Sequence, residues 1–146
     1  MRQTELEKAV TAVVRDCLAV REGEEVLVVC NPATQNMGEM LRNEAADVGA
    51  DAVLAVISER ASHAAEPPAT VAEAMAAADV LLAPTVQSLS HTAARKRATE
   101  NGARAATLPG VTEDMLARVM SADMEGLRKK GHAVAEALEG DRKSVV

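Results

Sequence analysis

The stretch from Pro84 to Arg95 places Ser88, Ser90, His91, Thr92 and Arg95 where an apolar run gives way to a helix. Thr34 and Thr112 hold matching positions, each after another apolar run and at the head of another helix. Hydroxyls beside free helix N-terminal amides form a cradle for a carboxylate or a phosphate, so these seven residues are the candidate ligand-binding set. Ser and Thr at such positions also cap helices by accepting from first-turn amides, and capping accounts for these residue types in full. A binding role for any one of them therefore needs more than its place in the chain.

More demanding chemistry finds less support. Ser88 or Ser90 with His91 suggests a nucleophile and a base, but adjacent helical residues do not face each other. No acid is placed to orient the imidazole, and there is no G-x-S-x-G elbow. His63, His91 and His132 have no second His or Cys at metal-ligand spacing, which argues against structural zinc. His63 lies between Glu59 and Glu66 in a polar loop, where surface polarity explains it equally well. His91 is expected in the first turn of its helix, facing the loops or satisfying nearby backbone. The segment Cys30 to Thr34 lacks the glycines of a dinucleotide fingerprint, and no phosphate-binding P-loop exists. No catalytic residue, no metal ligand and no cofactor is assigned within this chain.

The elements that must position these residues follow from apolar spacing. Thr4 to Glu7 reads as a capping box opening a helix with Leu6, Val10, Val13, Val14, Cys17 and Leu18 on one face. Gly23 ends that pattern. Residues 25–30 (EVLVVC) and 52–57 (AVLAVI) read as strands buried on both faces, separated by a helix from Met37 that Gly49 stops. Thr70 to Glu73 reads as a second capping box, opening a helix to Ala77. Strands follow at 80–83 and 104–108, with a helix between them capped by Ser88 or Ser90 and closed by Gly102. Thr112 caps a helix through Met120. Asp123 caps a last one with the stripe Leu127, Val134, Ala135 and Leu138.

Such alternation predicts a three-layer α/β domain: a four-stranded parallel sheet flanked by helices, flavodoxin-like or Rossmann-like, with further helices at the C-terminal end. The expected strand order is 2-1-3-4, with right-handed crossovers. Residues 1–140 form one domain and residues 141–146 a disordered tail. Ligands in such sheets bind beyond the carboxyl ends of the strands, which the seven candidate residues flank.

Composition narrows the function classes. The chain has 146 residues, 48% of them hydrophobic, and no Phe, Tyr or Trp. Its core must be built from smaller aliphatic side chains that bury less area than aromatic ones. The net charge of −6 disfavours nucleic acid, which needs a basic surface. The N-terminal MRQTELEK has no apolar signal core and no stretch approaches membrane-spanning length, so the expectation is a cytoplasmic protein with no membrane partner. Helical rise leaves Cys17 about 6 Å from the intervening turn, and strand rise carries Cys30 roughly 16 Å away. That mismatch argues against a disulfide.

The runs ADVLLAPT (78–85), SLSHTAAR (88–95) and GARAATLPGVTEDMLAR (102–118), preceded by SERASHAAEPPATVAEAM (58–75), resemble the N-terminal domain of the M29 metallo-aminopeptidases, the thermophilic leucyl-aminopeptidase type. The likeness begins at CLAVREGEEVLVV and is strongest over residues 59–118. A related branch resembles ring-opening dihydroxypyridine dioxygenases. The resemblance implies a unit of a metal-dependent exopeptidase that releases N-terminal amino acids from peptides, with paired cobalt, zinc or magnesium ions activating water. The family's metal ligands and catalytic groups belong to its C-terminal half, and none of those motifs is present here. The implied role is a truncated scaffold, inactive alone, whose partner is a catalytic domain or a second copy of itself. The chain departs from the family around Met124, where an aromatic residue is common. A stand-alone small-ligand or anion-binding module and an oligomerisation or interaction domain are the competing readings.

Overall fold

β1 (Glu25–Cys30) is the spine of the molecule. Its five apolar residues, Val26 to Cys30, are all buried, because the strand is paired in parallel on both sides and covered on both faces. The computed structural model describes residues 2–63 and 65–120. The expected helix from Asp123, Met124, His132 and the tail lie outside them. β2 (Asp51–Val56), β3 (Val80–Ala83) and β4 (Arg104–Thr107) complete the four-stranded parallel sheet that the alternation predicts, in the expected order β2-β1-β3-β4.

Strand pleating splits the core in two. Val26, Val28, Val80, Leu82 and Ala106 face one side. There they meet α1 (Arg2–Thr11), α2 (Gln35–Val48) and α5 (Glu113–Met120) through Leu6, Val10, Leu41 and Leu116. Leu27, Val29, Leu81, Ala83 and Ala105 face the other side, against Val71 and Met75 of α3 (Ala69–Ala77) and Ala94 and Ala98 of α4 (Ala93–Glu100). The chain steps one way from β1 to β2 and the other way from β2 to β3 and β4. Right-handed crossovers then require α2 and α3 on opposite faces, as found.

Several local expectations change. α1 begins at Arg2, two residues ahead of the expected start at Thr4. α1 continues into a π-helical segment, Ala12–Cys17, which puts both Val13 and Val14 into the core. α3 starts at Ala69 after Pro68, whose fixed φ opens the helix one residue ahead of Thr70. Glu73 is therefore not a capping partner and pairs with Arg97 on α4 at 3.1 Å. α4 is capped by Thr92, not by Ser88 or Ser90, because buried Leu89 ties that part of the loop to the core and Thr92 Oγ1 accepts from Arg95 N. His91 consequently precedes the helix. Gly49 (φ 107°) ends α2, Gly102 (φ 100°) follows α4, and Thr112 caps α5, all as expected.

β2 is the main departure. It is an edge strand with Val53 and Val56 left 56% and 42% exposed, not a strand buried on both faces. The bonds Asp51 N to Glu24 O and Ile57 N to Cys30 O turn its odd-numbered residues toward β1. Ala52 O therefore faces the open edge, where Arg42 Nε donates to it at 3.2 Å. A long charged side chain laid over an edge carbonyl blunts the edge against pairing with another strand.

Candidate functional site

Four loops leave the carboxyl ends of the strands, and one buried side chain joins three of them. Asn31, 2% exposed, sits directly after β1. Its Nδ2 donates to Ile57 O at 3.0 Å and its Oδ1 accepts from Val86 N at 2.7 Å. The residue spans the point where the strand order reverses, which is where open α/β sheets place their ligands. In sequence Asn31 is only a turn signal ahead of Pro32. Its bridging role follows from strand order, and its one sequence cue is a polar residue ending a wholly apolar run.

Beside that bridge lies a cleft of about 530 Å³. Ala33, Thr34 and Met37 form one wall, Val86 the back, and residues 110–114 the other wall. Thr34 and Thr112 thus come together as the sequence suggests. Both hydroxyls already have partners: Thr34 Oγ1 accepts from Asn31 N at 3.0 Å, and Thr112 Oγ1 accepts from Met115 N at 3.1 Å. Across the mouth, Asn36 Nδ2 donates to Glu113 Oε2 at 2.9 Å. With Asp114 alongside, the rim is acidic, and both carboxylates favour the first turn of α5 through the helix dipole.

The other five candidates gather at the head of α4, away from this cleft. Ser88 Oγ accepts from Ser90 N, and Ser90 Oγ shares a hydrogen bond with Thr107 Oγ1. Thr92 is buried, donating to Leu89 O while it caps the helix. Arg95 is buried too; its Nε donates to Ser90 O at 2.7 Å and its guanidinium also reaches Thr99 Oγ1. His91 is exposed. The anion expected at this helix terminus is present as part of the chain: Glu66 accepts from Ala93 N at 2.7 Å and from Ala94 N at 3.1 Å. His63, in the same loop, accepts from Ser88 N through Nδ1 at 2.8 Å. In sequence both are polar residues of a polar loop, with no partner in view. Their partners are backbone amides more than twenty residues away, which residue type alone does not reveal.

Burial pushes the Cys30 thiol up from its ordinary range, with Glu39 adding to the effect, so it stays protonated and unreactive. Cys17 is pushed up in the same way, chiefly by burial, and both cysteines are unpaired. Among the described residues no three His, Cys, Asp or Glu side chains converge as a metal site requires. No helix among the described residues is long and apolar enough to cross a membrane.

No protein-family profile matches the chain, and no curated protein matches it in sequence. Solved structures do. A 2,5-dihydroxypyridine dioxygenase from Pseudomonas putida KT2440 aligns with a TM-score of 0.64 at 16% identity, over 78% of this chain and 36% of its own. AmpT from Thermus thermophilus, an M29 aminopeptidase, aligns with a TM-score of 0.55 at 20% identity, over 94% of this chain and 43% of its own. The chain thus spans less than half the length of either structure. At these identities the likeness is one of fold: a three-layer α/β unit.

Proposed function

We propose that this chain is the α/β scaffold unit of an aminopeptidase-like protein, one that shapes substrate access or assembly while the bond-breaking groups lie elsewhere. One observation carries the reading. The motif resemblance over residues 59–118 supports it, and the likeness in fold to AmpT over 94% of the chain is consistent with it. The described residues support a scaffold more than a catalyst. Asn31, Glu66, Thr92 and Arg95 are all engaged in holding the loops beyond the strands, and none is left as an activated acid, base or nucleophile.

The test is hydrolysis of leucyl amide and of short peptides by the purified chain, with cobalt, zinc or magnesium supplied in turn. The scaffold reading expects no turnover with any of the three. Turnover that scales with chain concentration and disappears on chelation rejects it.

A second reading, a small-ligand module, is favoured by the cleft between Thr34 and Thr112. A ligand of the native state raises the melting temperature by mass action. Thermal shift across amines, carboxylates, phosphates and amino acids reads it directly, and no shift with any class rejects it.

A further inference from the structure

The chain has four asparagines, Asn31, Asn36, Asn43 and Asn101, and only Asn101 is followed by glycine. We propose that the Asn101–Gly102 turn at the end of α4 is a site of spontaneous deamidation in the folded protein, and that its conversion to aspartate or isoaspartate loosens α4 from α3. Both residues are exposed, and a side chain on Gly102 would meet nothing within 4 Å, so water and hydroxide reach the turn freely.

The chemistry needs only water. Hydroxide removes the Gly102 amide proton, and the nitrogen attacks Asn101 Cγ. The Cγ–Nδ2 bond breaks and ammonia leaves, taking a proton from water and regenerating hydroxide. The product is a five-membered succinimide. Water adds to either ring carbonyl and opens the ring, giving aspartate or isoaspartate. The net reaction consumes one water and releases one ammonia.

The fold sets the pace of the first step. Asn101 Nδ2 is held on Ala76 O at 3.2 Å, and Gly102 N donates to Thr99 O at 3.0 Å. Ring closure therefore waits for the last turn of α4 to open, as helix ends do. The product cannot restore the link to α3. A carboxylate faces the Ala76 carbonyl with no proton to donate, and it adds negative charge at the negative end of the α4 dipole. Isoaspartate also lengthens the backbone beside the bond from Ala103 N to Ala98 O, which closes the helix.

The experiment incubates the full chain at mildly alkaline pH, native and in urea, and follows the peptide containing position 101 by mass spectrometry. The expected result is a mass gain of one dalton at Asn101 in both, slower in the native chain by roughly tenfold or more. N101Q, which keeps an amide but closes no five-membered ring, gains nothing at that position. N101D melts lower than the wild type by about 2–5 °C. A native chain that stays unmodified while the chain in urea reacts overturns the site, and an N101D that melts with the wild type overturns its consequence.

Discussion

Asn31 is the residue on which the carboxyl end of the sheet depends most. Truncation to alanine deprives Ile57 O and Val86 N of their partners. The expected cost is about 2–3 kcal/mol, read as a lower urea midpoint with an unchanged slope. At the opposite end, Arg104 grips Glu24 through two nitrogens at 2.7 and 3.0 Å and Leu18 O through its Nε. The Arg104 hydrogen bond holds the Glu24 carboxyl below its usual range, outweighing the opposing effect of burial. A carboxylate depressed in the folded state contributes stability above its unfolded value, near pH 4.3, and loses it as pH falls through the folded value. E24Q should therefore be less stable than wild type at neutral pH, with the gap closing as the solution is acidified. A gap that persists in acid would exclude the ion pair as its cause. Residue roles of this kind were partly legible. Thr112 announces its cap, because one hydroxyl precedes one helix. Among Ser88, Ser90 and Thr92 the sequence offers three caps, and burial of Leu89 decides between them.

At the scale of elements, the close approach of α2 to the sheet depends on Gly38. A Cβ there would lie 2.8 Å from Cys30 Sγ and 3.1 Å from Leu54 Cδ1. G38A gains roughly 1 kcal/mol of helix propensity but overpacks the core by about 1–3 kcal/mol, so net destabilisation is expected. Adding C30A removes the nearest atom and should recover part of the loss; additive losses in the double variant would mean the two residues do not meet. Strand positions were legible because apolar runs bounded by turn residues leave little choice. The exposure of β2 was not, because AVLAVI reads alike at the centre and at the edge of a sheet. Only strand order assigns it to the edge.

For the whole molecule, parallel alternation was enough to predict the layers, whereas the order β2-β1-β3-β4 matches a flavodoxin-like choice that the alternation alone does not dictate. The cleft was half legible: its hydroxyls were singled out, its acidic rim and the Asn36–Glu113 link were not. The open β2 edge is where another strand could pair, and there Arg42 covers Ala52 O beside Val53 and Val56. R42A bares that carbonyl, and sedimentation at rising concentration should show it associating more than wild type. Equal behaviour would mean the guanidinium does not guard the edge.

The bridge from Asn31 to Ile57 and Val86 also bears on how this framework can be re-engineered. Segments transplanted after the second and third strands must present the carbonyl and the amide that the carboxamide in the first segment expects. Swapping them singly breaks that agreement, whereas replacing all three together, with a new residue at position 31, leaves the designer free.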